Sequence, residues 1–407
     1  MEDKRTVSLQ RAAELKAWTD GYTEFKNTHP FATSDLVKTE LKKKKEQILK
    51  YFDATEDDWN DWRWQLANRI SDTAILAQFM NFSNQEIAQI EEVGSRFRWA
   101  CTPYYLSLMD FKDRNFAINK MAIPSTAENV LLGEEDPMDE EHTNPAPRIT
   151  RRYPNRLIIN VTSACAMFCR HCQRRRLIGE CDHNAEKAEL MAAYEYIRNN
   201  PEIRDVLVTG GDPLLLPDSN IEDILKNLRA IPSVEIIRIG TRVPVTMPQR
   251  VTKELADMLK KYHPLYINLQ FNHPMEVTED SVRACTLLAD AGIALGNQMV
   301  FLKGINNDKY TVQMLNEELL KTRVKPYYIF HPKQVIGTGH FQITVDEGLK
   351  IMEYLRGHTS GLAIPQYILN APRGLGKIPL LPEYIIESDE THVKLRTWEG
   401  KEVNIEY

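Results

Sequence analysis

Long apolar runs are missing from this chain, and cysteine is scarce in it. No window of the 407 residues approaches the apolar length that crosses a bilayer. The opening stretch, MEDKRTVSLQRAAELKAW, carries charge where a secretory signal would carry an apolar core. The expectation is a cytoplasmic protein without membrane contact. Basic residues are not in excess either. The net charge is −6, which excludes the broad cationic face that grips nucleic acid. Only six cysteines are present, and nothing suggests an oxidising compartment, so disulfides are not expected.

Three of those cysteines fall in one run, Cys165-Ala-Met-Phe-Cys169-Arg-His-Cys172, a C-x3-C-x2-C spacing. The others, Cys101, Cys181 and Cys285, are scattered without ligand spacing. Structural zinc takes four protein ligands, commonly as paired sets. His171, between two of the thiols, is the neighbour that could join such a set. A [4Fe–4S] cluster offers one iron to each of four soft thiolates. Three thiolates leave one iron open to a small molecule, and reductive cleavage becomes possible there. An electron-transfer protein would want a fourth thiolate, and none is plausibly placed.

The pattern along the chain changes near residue 148. The first third reads as charged helices, with LKKKKEQIL near Leu41 as a solvated helix face. Trp59, Trp62 and Trp64 read as packing residues that seat this region on the rest. Residues 133–147, GEEDPMDEEHTNPAP, are acidic, proline-bearing and aperiodic, which predicts a linker or exposed wrap. Beyond it, apolar runs at 156–162, 205–211, 235–241, 265–271, 294–301 and 325–330 alternate with amphipathic helical patterns. Such alternation predicts parallel strands with right-handed crossovers. The fold expectation is α/β: a partial (β/α)6 barrel at 148–330, preceded by a helical region at 1–147. A strand-containing extension at 331–407 follows, with a turn at Glu399-Gly400. In such barrels chemistry gathers at the carboxyl ends of the strands, where the cysteine loop falls.

Many segments resemble one family. WNDWRWQ, TPYYLSL, RYPNR, CRHCQRRR, GGDPL, RIGTRVPV, FNHP, GNQMVFLKG, PYYIF and LRGHTSG are similar to segments of the lysine 2,3-aminomutases. These are radical S-adenosylmethionine (SAM) isomerases that also use pyridoxal 5′-phosphate (PLP). The loop Asn370-Ala-Pro-Arg-Gly-Leu-Gly-Lys377 looks like the family's PLP-lysine loop. The resemblance implies a [4Fe–4S] cluster on Cys165, Cys169 and Cys172, an imine-forming Lys377, and Arg152, Tyr153 and Arg156 around the PLP phosphate. Arginine suits that task, because its planar fork meets phosphate oxygens in pairs. It further implies Gly210, Gly211 and Asp212 at the amino-acid end of SAM, Gln298 at its ribose, and Arg174 on the substrate α-carboxylate. A reductant such as flavodoxin or ferredoxin, and self-association, are implied as partners.

At two positions the chain departs from the lysine-specific pattern. Those enzymes carry an aspartate in the loop after PYYI and another before the PLP-lysine loop, suited to a substrate ammonium. Here the positions hold Lys333 and Asn370. A substrate ammonium beside Lys333 would set like charges together, whereas a carboxylate would gain an ion pair and an amide donor. The expected substrate is an acidic α-amino acid, glutamate before aspartate, with 2,3-migration of its amino group; lysine is the alternative. No zinc is expected near the carboxyl terminus, since no cysteine follows Cys285.

Overall fold

A computed structural model of the chain describes residues 3–29, 31–178 and 181–407. Its core is a nine-stranded sheet whose strands pair in sequence order. They are β1 (Ile149–Tyr153), β2 (Arg156–Thr162), β3 (Asp205–Gly210), β4 (Ile236–Gly240), β5 (Leu265–Leu269), β6 (Ala294–Val300), β7 (Val324–Phe330), β8 (Gln366–Ala371) and β9 (Gly376–Leu380). From β2 to β8 every pairing is parallel. At the flanks, β1 and β9 run antiparallel to their neighbours.

The helices between the parallel strands form because their apolar residues recur at helical spacing. In Asp218–Arg229, Ile221, Ile224, Leu225 and Leu228 form one buried stripe that packs on the sheet. The strands show the complementary period of two. Ile159 and Val161 of β2, Val206 and Val208 of β3, and Ile237 and Ile239 of β4 are buried under the helices. Their alternates, among them Ile158, Thr209, Arg238 and Gly240, point into the barrel. The alternation therefore leaves inward positions open to polar side chains such as Thr209 and Arg238.

The six expected β/α units are all present as β2 to β7, each with its helix. The carboxyl-terminal part is strand-containing, as expected. Its first strands join the barrel sheet: β8 is a seventh parallel strand beside β7, and β9 folds back on it as a hairpin. The sheet nearly closes, because the backbone N–H of Lys377 on β9 donates to the Tyr153 hydroxyl on β1 at 3.0 Å. Only the last strands, β10 (Ile385–Ser388), β11 (His392–Arg396) and β12 (Glu402–Glu406), form a sheet of their own. The β11–β12 turn falls at Thr397–Gly400, where the Gly400 N–H donates to the Thr397 carbonyl at 2.9 Å.

The first third is helical, as the pattern predicts, from Lys4–Ala17 to Ala117–Ala122. Its segment Pro103–Leu108 is buried at every residue. Thr102 donates to the Thr246 carbonyl at 2.6 Å, and the Tyr104 and Thr278 hydroxyls lie 2.5 Å apart. Trp62 lies under the Arg250 guanidinium at 4.6 Å. These contacts seat the helical region on the barrel. The acidic stretch 133–147 is not merely a linker: Glu140 is only 6% exposed, with its carboxylate inside the barrel mouth. No helix among the described residues is long and apolar enough to cross a membrane.

Candidate active site

A cavity of about 340 Å³ opens among the inward faces of the strands and the loops at their carboxyl ends. All fourteen residues singled out from the sequence line it, although they are drawn from β1 through β9. Cys165, Cys169 and Cys172 stand in the loop after β2. That loop is pinned to the helical region: the N–H of Phe168 donates to the Ala100 carbonyl at 3.0 Å, and that of Arg170 to the Met121 carbonyl at 2.9 Å. The buried Arg170 guanidinium clamps Glu128 in two bonds, 2.9 and 2.6 Å long. A second cleft, of about 1250 Å³ and lined largely by residues of the helical region, reaches the same three cysteines.

Gly210 and Gly211 make the turn after β3, and the structure gives them a local reason to be glycine. Gly210 has φ +134°, and a Cβ there would lie 2.3 Å from the Thr162 carbonyl oxygen. One on Gly211 would lie 2.3 Å from the Ala164 oxygen. The N–H groups of Gly211 and Asp212 are spent on the Thr162 and Ala164 carbonyls, at 2.6 and 2.7 Å. The Asp212 carboxylate is engaged too, accepting from the Thr241 hydroxyl at 2.6 Å and the Arg242 N–H at 2.7 Å. Burial pushes its pKa up to about 6, against the pull of those donors.

At the other end of the cavity Lys377 is paired directly across the hairpin from Asn370. Arg373, Gly374 and Gly376 all have positive φ, so the loop turns tightly enough to set its backbone against β1. A Cβ on Gly376 would sit 3.5 Å from the Tyr153 hydroxyl. The Lys377 residue is exposed, yet its ammonium is ringed by Tyr328, Tyr153 and Phe330 at 5.6, 5.8 and 5.9 Å. Partial desolvation there, with Arg238, Arg156 and Arg152 nearby, pushes its pKa down to about 8. Arg238, held by Asp205 at 2.7 Å, is a cavity residue that the sequence reading missed. Its inward position on β4 could have flagged it.

Glu140 was missed as well, and it organises the cations. Its carboxylate lies 3.1 Å from Arg152 Nη2, 3.1 Å from Arg174 Nη2 and 3.3 Å from Arg176 Nη2. Arg174 also reaches Asn160 Oδ1 at 3.3 Å. Burial would raise the Glu140 pKa, but Arg174, Arg152, Lys333 and Arg176 hold it below the usual range. Lys333 faces the same group, and desolvation with Arg174 beside it pushes its pKa down to about 7.

Residues 352–405 match a family model described as lysine-2,3-aminomutase, and residues 159–315 match the radical SAM superfamily model. A glutamate 2,3-aminomutase of Clostridioides difficile (strain 630) is 55% identical over 408 aligned positions, covering 100% of this chain and 96% of that protein. The L-lysine 2,3-aminomutases of Acetoanaerobium sticklandii and Clostridium subterminale are 47% and 46% identical, over 85% and 86% of this chain and 84% of each relative. The chain belongs to the lysine 2,3-aminomutase family.

Membership in a radical SAM, PLP-dependent family brings three groups, a [4Fe–4S] cluster, SAM and PLP, and the cavity fits them. No three His, Cys, Asp or Glu side chains among the described residues come close enough to hold a single ion. Cys165, Cys169 and Cys172 come from one loop and line one cavity, so their three sulfurs can serve one multi-iron group. Burial raises the Cys165 and Cys172 thiols, so they surrender protons only when a metal group takes the sulfurs. Among the described residues, several buried polar atoms along the cavity have no hydrogen-bond partner: Arg152 Nε, Gln173 Nε2, Asn268 Nδ2 and His171 Nδ1. Orphaned buried donors cost free energy unless a ligand meets them. Arg152 Nε, among the cations near Lys377, suits a phosphate oxygen. The Gln173, Asn268 and His171 atoms line the same cavity as the cysteines and suit a polar nucleoside.

Proposed function

We propose that this chain interconverts L-glutamate and L-β-glutamate by moving the amino group between C2 and C3. The observation that carries the reading is the placement of Lys333 and Asn370 in one cavity with the three cysteines, Arg174 and Lys377. A dicarboxylate entering there meets cations at both ends. A substrate with a terminal ammonium would meet Lys333 instead, and like charges in a partly desolvated site cost several kcal/mol.

When bound, the cluster with SAM supplies hydrogen abstraction by a carbon radical, and PLP supplies the carbonyl that carries the migrating nitrogen. The work left to the chain is placement. Cys165, Cys169 and Cys172 would hold three irons. Gln298 and the turn Gly210-Gly211-Asp212 would border SAM, the turn through carbonyls and carbon surface, since the Gly211 and Asp212 N–H groups are already engaged. Arg152, Tyr153 and Arg156 would receive the phosphate, and Lys377, whose lowered pKa leaves more neutral amine near pH 7, would hold the carbonyl carbon. Arg174 would take the α-carboxylate, Lys333 and Asn370 the side-chain carboxylate. A small electron-transfer protein such as flavodoxin or ferredoxin is the proposed donor, and a homo-oligomer in the cytoplasm the proposed working state.

The test is anaerobic: iron-reconstituted protein with SAM, PLP and dithionite receives L-glutamate, L-aspartate or L-lysine in parallel, with products read by proton NMR. β-Glutamate is the expected product. β-Lysine instead would overturn the substrate assignment, and no β-amino acid from any of the three would overturn the reaction.

A further inference from the structure

Arg242, in the segment RIGTRVPV just after β4, has a geometry that none of the roles above uses. It is 7% exposed, and its guanidinium is committed on every side. Nε donates to the Gln270 carbonyl at 3.1 Å, and Nη2 donates to Glu276 Oε1 at 2.6 Å and lies 3.7 Å from Met121 Sδ. Nη1 donates to Cys169 Sγ at 2.7 Å. Glu276 is itself fully buried and fixed by three further donors. Tyr105 OH reaches Oε1 at 2.8 Å, while the N–H groups of Asn272 and His273 reach Oε2 at 2.6 and 3.2 Å. The Arg242 backbone is held in turn by Asp212. The planar fork therefore has one orientation, and that orientation sets an N–H against the sulfur of a cysteine assigned to the cluster.

We propose that Arg242 is a positioning residue that raises the reduction potential of the cluster through its hydrogen bond to Cys169, with Glu276 and Tyr105 as the bracket that holds it there. The inference rests on the three-cysteine cluster assignment. One electron entering the cluster from an external reductant adds negative charge, shared by its thiolates. A fixed cation donating to one thiolate in a water-poor site stabilises that added charge. No proton moves; the guanidinium stays charged on both sides of the step. A buried Arg–Glu pair that served only to join two loops would not need to present a donor to the sulfur. Tyr105 comes from the helical region, so the segment TPYYLSL gains a role: it ties that region to the cluster's electronic setting.

The experiment is a reductive titration of the reconstituted full chain, followed by EPR and run without substrate. In Arg242→Gln/Glu276→Gln the ion pair becomes an amide pair of similar shape, so no buried charge is stranded. The midpoint potential of this variant is expected to fall by roughly tenfold in the oxidised-to-reduced ratio, 59 mV for a one-electron couple. Tyr105→Phe is expected to give a smaller fall of the same sign. Equal potentials in the double variant and the unsubstituted protein would overturn the proposal. Should the double variant fail to assemble a cluster, the unsubstituted protein labelled with 15N-arginine decides. Its reduced cluster should show a 15N coupling in pulsed EPR, and the absence of that coupling overturns the proposal. An unsubstituted protein that holds no reducible cluster would overturn this inference and the cluster assignment together, whereas β-glutamate formation with unchanged potentials would overturn this inference alone.

Discussion

With Lys333 proposed to receive the side-chain carboxylate, glutamate binding becomes a protonation-dependent event with a definite sign. Burial, Arg174, Arg152 and Lys377 push the free ammonium down to about 7, with Glu140 pulling the other way. At pH 6 about nine-tenths of the protein presents a cation at this point, and at pH 8 about one-tenth. A bound side-chain carboxylate holds the proton on, so the complex has the higher pKa. Affinity should therefore be flat below pH 7 and weaken above it, by up to about tenfold per unit, until the pKa of the complex is reached. A charge-assisted hydrogen bond worth ~1.5–3 kcal/mol places that upper pKa about one to two units higher. Between pH 6 and pH 9 the KM for L-glutamate should then rise by roughly ten- to a hundredfold. The assay is initial β-glutamate formation at saturating SAM, in half-unit steps of pH. Lys333→Met should bind glutamate weakly at every pH and lose the slope, which separates Lys333 from any titration of Lys377. A flat KM in the unsubstituted protein, or an equal slope in Lys333→Met, would refute the reasoning.

Lys377→Ala should abolish β-amino-acid formation while leaving iron and sulfide content unchanged; normal turnover in that variant would remove Lys377 from the chemistry. Glu140→Gln should strand Arg152, Arg174 and Lys333 without their shared counter-ion, whereas Arg176 keeps Asp136 at 2.8 Å. It is expected to cost on the order of 3 kcal/mol in thermal unfolding and to move the rise in KM to lower pH, since an anion that supports the Lys333 proton is lost; calorimetry and the same pH series check both. Lys333→Asp with Asn370→Asp should cut kcat/KM for L-glutamate and admit L-lysine, and unchanged glutamate kinetics would take the pair out of the substrate pocket.

The barrel was legible because its signals are local. Strands β2 to β7 begin and end within a residue or two of the apolar runs, since strands packed under helices carry Val, Ile and Leu at the covered positions. β8 carries the same kind of run, Tyr367-Ile368-Leu369, but its membership depends on pairing with β7 across a helix and two loops. Nothing local distinguishes it from an appended sheet. The acidic stretch misled for a related reason. Glu135, Asp136, Asp139, Glu140 and Glu141 are alike in sequence, and most of them are solvated as the composition says. Glu140 alone is buried, because three arginines from β1 and the cysteine loop converge on it. Of the fourteen candidate site residues, the three cysteines stood out by their spacing and the other eleven came through resemblance. Arg238, Glu140 and Arg242 were not found, although Arg238 needed only the period of two along β4.

Charge balance links the cofactor and the substrate. Around the cavity stand Arg152, Arg156, Arg174, Lys333 and Lys377, and Glu140 is shared among three arginines and leans on Lys333 as well. Arg238 is already matched by Asp205. A site holding so many cations with so little internal compensation pays a desolvation penalty that only bound anions relieve. In the proposed roles a PLP phosphate would answer the cations near Lys377, and one substrate carboxylate would answer Arg174. That still leaves Lys333, whose pKa of about 7 marks it as the cation least supported by the protein itself. A monocarboxylate substrate would leave it so, and a diamino acid would make it worse. A second carboxylate on the substrate is the ligand that completes the balance, so the strength of glutamate recognition should scale with the protonation of this one lysine.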